Sequence, residues 1–387
     1  MVKVVKLGVV EGRAGSGLRV GAVGAADEPL GVRPPRTARR SRDRLTRQGR
    51  RPRQARSVPF RLAVVLTALV LVAVCALVSV SVGSSALTLG EIWEYLTHPD
   101  ASVYDSVIVN TLRPRRTVLG LLVGTALAVA GALMQAVTRN PLAEPGLLGV
   151  TSGASLAVVL GSWLTGATSV PEQFGLAAAG SLAATVVVYL VASLGGAAAS
   201  PVRLLLVGVA FSAAASAAIQ ALLLSSPRTF ATFRYWDAGA LLRTDVPLGA
   251  LAAVVAVGTL IALSCSRGLT NLSLGDDVAA ALGTRVVLVR ALSLVSLTLL
   301  CGAATAAAGP VGFVGLIVPL AASWLMGPHR GWIIVLSALM GPCLVLAADV
   351  VGRVISRPGE IQVGLLTAFV GSPVLLVMVL RLKDARL

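Results

Sequence analysis

The sequence predicts an all-α, polytopic membrane protein with about ten transmembrane helices. Of its 387 residues, 56% are hydrophobic and only 13% are charged, against roughly 25% charged in soluble domains. The mean hydropathy is +0.86, and the apolar residues are mostly Ala, Val, Leu and Gly, the set that lets helices pack closely in lipid. From Phe60 onward, apolar runs follow one another with short breaks. A bilayer core of ~30 Å needs about 20 helical residues. Backbone groups in lipid must be satisfied internally, so each run is expected to be a helix.

In chain order, residues 1–59 read as a disordered basic tail and 60–387 as the transmembrane domain. The tail holds 15 Lys and Arg against 4 Asp and Glu, so it carries +11 of the net +16. The high pI therefore belongs to the tail and does not indicate nucleic acid. The spans fall at 60–82, 117–137, 147–164, 174–193, 203–224, 246–265, 287–308, 312–326, 332–351 and 363–381. The third and eighth are short. Small-xxx-small pairs, Gly120/Gly124 and Ala126/Ala130, suit close helix crossings. Ala126 to Gly131 is echoed at Ala304 to Gly309, a weak sign of two related halves.

Positive charge sets the orientation. The tail abuts the first span, so both termini are expected to be cytoplasmic. That leaves eight arginines on the external side (113, 115, 116, 228, 234, 243, 353 and 357), about as many as inside beyond the tail, and the excess asks for a purpose.

Several function classes are disfavoured. No GxxxxGK[ST] occurs, so no nucleotide-binding loop is present. Cys75, Cys265, Cys301 and Cys343 lack metal-ligand or CxxC spacing and read as small apolar residues. His98 and His329 belong to no HExxH. Ion-coupled carriers rely on intramembrane Asp, Glu or His, and none stands clearly mid-span. No nucleophile–base pair suggests an enzyme. No metal or other cofactor is expected on this chain.

The most informative stretch runs from Gln135 through Arg139-Asn140-Pro141-Leu142-Ala143-Glu144-Pro145-Gly146-Leu-Leu-Gly149. Pro141 and Pro145 prevent a continuous helix, while Gly146 and Gly149 permit close backbone approach. Upstream lies Leu112-Arg113-Pro114-Arg115-Arg116-Thr117. Further on come Tyr235-Trp236-x-x-Gly239, Leu274-Gly275, Ala279-Ala280-Ala281-Leu282-Gly283 and Gly309-Pro310-Val311-Gly312-Phe313-Val314-Gly315. Asp349, Arg353, Glu360 and Val363-Gly364-x-x-Thr367-Ala368 close the series. These segments, in this order over about 60–385, resemble the FecCD-type permeases, the membrane subunits of ATP-driven importers for ferric siderophores, haem and cobalamin. The sequence departs from that pattern at Leu320, at Gln362 and in the displaced Pro114.

The resemblance implies a type II ABC importer permease fold and alternating access, with ATP used by a separate ATP-binding cassette subunit. It implies that Arg113, Arg116 and Arg353 dock acidic residues of an extracytoplasmic substrate-binding protein, guanidinium on carboxylate. Leu274, Gly275, Asp276, Ala279, Ala281 and Gly283 would form a short helix coupled to the ATPase. Gln135, Asn140, Pro141, Pro145 and Gly149 would shape the translocation path. A second copy or a related permease would complete the path, and ferric siderophores are the favoured cargo, ahead of haem or cobalamin. Gln220 is read as an interhelical hydrogen bond.

Overall fold

The structure is a computed structural model that describes residues 57–83, 89–98, 102–167, 169–194, 201–243, 245–357 and 359–384. The basic tail lies outside the described residues except for its last three, where the first helix has already begun. The helices are α1 (Val58–Ser81), α2 (Leu89–Thr97), α3 (Tyr104–Thr138), α4 (Val150–Thr165), α5 (Val170–Ser193), α6 (Pro201–Ser225), α7 (Pro227–Asp237), α8 (Leu248–Leu272), α9 (Asp276–Ala281), α10 (Val286–Ala308), α11 (Val314–Met326), α12 (Arg330–Ile355) and α13 (Val363–Asp384). Ten of them coincide with the ten predicted spans. Seven are long and apolar enough to cross a bilayer, and α4, α11 and the first part of α13 are shorter apolar helices.

The packing is that of a lipid-facing bundle. On α1 the outward residues are Leu62, Leu66, Leu69, Val70 and Leu77, while those turned inward are Arg61, Ala68 and Ser79. This reverses the polarity of a soluble helix, as an apolar solvent requires. At the centre, α3 is buried nearly all round and touches α8, α10, α11 and α12. Glycines set these distances. A Cβ on Gly124 would stand 2.6 Å from the Gly341 carbonyl carbon of α12, and a Cβ on Gly131 would overlap the Gly315 carbonyl oxygen of α11. Gly120, predicted as the other half of a small-residue pair, faces the side chain of Leu346.

Two expectations are corrected. Helix α3 begins at Tyr104 rather than near 117, and it continues through Pro114 by way of a π-helical turn over Ile108–Leu112. The Arg113 N–H reaches back to the Ile108 carbonyl, and such widening relieves the clash a proline makes with the preceding turn. Gly146 has no close backbone neighbour; a Cβ there would meet only Thr151 Oγ1, at 3.6 Å, whereas Gly149 has φ +78° and lies against the Phe211 ring. Helices α2 and α7 lie between the predicted spans.

Candidate functional site

Polar side chains gather at both ends of the bundle and at one internal junction. Arg116 and Arg139 lie on the same helix and its terminus, 23 residues apart, which at 1.5 Å per residue is about 35 Å. The two end clusters therefore sit a bilayer thickness apart.

At the first end, Arg116 grips Asp349 with Nη2 at 2.7 Å and Nε at 3.0 Å, and reaches Glu360 with Nη1 at 2.7 Å. One helical turn on from Asp349, Arg353 adds a second bridge to it at 2.8 Å. Arg353 also donates to the Ser79 and Val82 carbonyls at 2.9 and 2.7 Å. Arg113 donates to the Val80 and Ser81 carbonyls at 3.2 and 2.9 Å. Arg357 donates to the Gly83 carbonyl. Guanidinium groups thus cap the carboxyl end of α1, where the orphan carbonyls and the helix dipole favour positive charge. Arg113 and Arg353 are buried, with side-chain exposure of only 2% for Arg353. The predicted docking trio is therefore brought together, but as an internal clamp joining α1, α3 and α12. Four of the eight arginines expected on the external side, Arg113, Arg116, Arg353 and Arg357, make bonds of this kind.

Other arginines at this end are less committed. Arg115, Arg228 and Arg234 are exposed. Arg243, in the α7–α8 connection, lies 5.9 Å over the Trp236 ring. Its Nη1 is buried without a hydrogen-bond partner among the described residues. Burial pushes its pKa down to about 10.

At the opposite end, Asp276 opens α9 and accepts from Arg290 at 2.8 Å and from Arg139. Burial works against its charge, but these two guanidinium groups outweigh it and hold the carboxyl below its ordinary range. Acid at a helix start also suits the dipole. Of the residues assigned to an ATPase-coupling segment, Asp276, Ala279 and Ala281 lie on the short helix α9, flanked by Leu274, Gly275 and Gly283. Gly275 precedes it with φ +115° and Gly283 follows it with φ +79°. Ala279 anchors the helix to the bundle, and Ala281 faces out. Leu274, Val278 and Leu282 stand exposed at four-residue spacing.

The internal junction is built from the Asn140–Gly149 motif. Asn140 closes a turn, its Oδ1 accepting from the Leu142 N–H at 3.0 Å. Pro141 is exposed, whereas Pro145 is buried against Gly315. Gln135 is buried and donates to the Leu316 carbonyl at 3.0 Å, tying α3 to α11. Glu144 accepts from the Phe313 N–H at 2.8 Å, and burial raises its pKa despite that bond. Glu144, Thr151, Cys301, Thr305, Pro310 and Gly312 line a cavity of about 190 Å³. A larger pocket, about 260 Å³, shares Thr151 and Pro310 and adds Ser152, Ser155, Ser216, Gln220 and Asp237. Gln220, expected to make an interhelical hydrogen bond, lines this pocket between α4, α6 and α7. No group of three or more His, Cys, Asp or Glu residues that would hold a metal occurs among the described residues.

Residues 70–381 match the FecCD transport family. The chain belongs to that family. It is 43% identical over 314 residues to the ferric enterobactin transport system permease protein FepD of Escherichia coli strain K12, covering 81% of this chain and 93% of the relative. It is 40% identical over 298 residues to the Fe(3+)-citrate import system permease protein YfmD of Bacillus subtilis strain 168, covering 76% and 87%. Among solved structures, an inward-facing metal-chelate type ABC transporter superposes with a TM-score of 0.72 at 27% identity, covering 82% of this chain and 99% of that one. The type II permease fold expected of a FecCD protein is the fold described above.

Sequence reasoning placed Asp349 and Glu360 in a FecCD motif without a role, and it gave Glu144 none. The signals were present. Asp349 is a lone acid in an apolar run, four residues before Arg353, and Glu144 is a lone acid between two prolines.

Proposed function

We propose that this chain is the membrane-spanning permease subunit of an ATP-driven importer, carrying ferric siderophores across the cytoplasmic membrane by alternating access. The observation that carries the reading is α9. It is a short helix pinned by Asp276 to two elements, and it offers Leu274, Val278 and Leu282 to a partner. In a chain without a nucleotide-binding loop, such a surface suits an ATPase subunit that moves the bundle from outside it. With α9 cytoplasmic, both termini are cytoplasmic and the arginine-rich end faces outward, where a substrate-binding protein docks. A second copy or a related permease completes the pathway, and the bundle rocks between two states that nucleotide binding and hydrolysis in the partner subunit bias. The chelate passes intact, so this chain needs no metal ligands.

The names of the relatives support an iron(III) chelate as cargo. Deletion of the gene should abolish uptake of radio-iron supplied as one or more ferric siderophores and leave cobalamin and haem uptake intact. Normal siderophore uptake with loss of cobalamin or haem uptake would overturn the cargo assignment.

A further inference from the structure

Two non-glycine residues among those described hold a left-handed backbone, Arg139 with φ 54° and Phe313 with φ 68°. Side chains are rarely held there without support, and such strain gathers at switches. Each is met by a carboxylate from a distant part of the chain. The side chain of Arg139 pairs with Asp276, next to the α9 surface. The N–H of Phe313 donates to Glu144. Arg139 and Glu144 lie at either end of one stiff stretch, braced by Pro141, Pro145 and the Asn140 turn.

Phe313 sits at a junction of its own. Its carbonyl accepts from the Leu316 and Ile317 N–H groups and so starts α11. Its ring occupies the space a side chain at Gly371 of α13 would need. Gln135 ties the next residues of α11 to the last turns of α3, from which the 139–149 stretch emerges.

We propose that Glu144 is a positioning residue that makes α11 follow the 139–149 stretch, so that motion entering at α9 reaches the middle of the bundle. The inference rests on the permease reading above. The Glu144 oxygen pins the Phe313 N–H; once that bond is lost the left-handed turn is free to relax, and a relaxed turn lets α11 and the 139–149 stretch part.

The test uses the complete importer (permease, ATPase subunit and binding protein) in proteoliposomes supplied with radio-iron as ferric enterobactin and as ferric citrate. The readout is iron taken up per ATP hydrolysed. Glu144→Gln keeps a carbonyl oxygen to accept from Phe313 and should stay within about twofold of wild type, whereas Glu144→Ala loses the acceptor and should fall about tenfold, the scale of one hydrogen bond. Should the alanine variant not assemble, Glu144→Asp, which shortens the arm by one methylene, is measured in its place and should also fall. Wild-type coupling in Glu144→Ala overturns the proposal. A defect in Glu144→Gln equal to that in Glu144→Ala also overturns it, because charge in the cavity would then be what matters. A wild-type complex that imports no ferric siderophore, haem or cobalamin under ATP overturns the permease reading itself.

Discussion

Arg353 shows how one side chain sets the character of an end of this molecule. It bridges Asp349 and donates to two carbonyls and the hydroxyl of α1 residues, all while buried. Removing it leaves Asp349 paired with Arg116 but strips the buried Ser79 and Val82 oxygens of their donor, at a cost of about 1–3 kcal/mol for a buried group left unsatisfied. Arg353→Ala should therefore lower the thermal stability of the detergent-solubilised protein by several degrees. Arg115→Ala, at an exposed position, should change it within ~0.5 kcal/mol. Equal effects would contradict the clamp. Arg243 is the converse case, a desolvated cation over the Trp236 ring whose Nη1 has no hydrogen-bond partner among the described residues, and together with Arg115 it is a candidate for a partner's carboxylates. Arg115→Glu with Arg243→Glu should weaken capture of the binding protein by about tenfold or more, since like charges across an interface repel, and should leave insertion intact. Unchanged capture in a surface-binding assay would move docking elsewhere. The sequence marks Arg113, Arg116 and Arg353 as a group but does not show their internal pairing. Arginine type and spacing are visible in a linear chain, whereas the carboxylates that consume Arg116 arrive from 233 and 244 residues away.

At the scale of elements, the closest contacts are backbone to backbone. Gly131 and Gly315 let α3 and α11 meet with no side chain between them. Gly131→Val forces the helices apart and should destabilise the fold by at least the ~1–3 kcal/mol typical of overpacking, whereas Gly146→Ala, with open space around it, should be tolerated. Thermal unfolding of the two variants decides between them, and a Gly131→Val protein as stable as Gly146→Ala would show that the contact is looser than described. Ten helices were legible from apolar length alone. Of the other three, α9 is expected from the family motif that carries it, whereas α2 and α7 are short and mixed in polarity and contain no long apolar run. For α7 the local signal existed: Ser226 caps the helix, accepting from the Thr229 N–H, and Pro227 stands at its first position, a typical helix start. The early start of α3 was hidden because Pro114 and three arginines look like a loop. The π-turn that carries the helix across them has no sequence signature.

For the whole molecule, the account holds that the polypeptide is moved and does not itself drive transport. Among the described residues, the ion pairs named above lie at the two ends of the bundle, and the internal junction carries Glu144 hydrogen-bonded to the backbone. The direct measurement is radio-iron uptake into proteoliposomes containing the permease, with and without its ATPase subunit, in the presence of binding protein, ATP and imposed ion gradients. Accumulation should require both the ATPase subunit and ATP, and should be absent with the permease alone under any gradient. Concentrative uptake by the permease alone, driven by a proton or sodium gradient, would contradict the account.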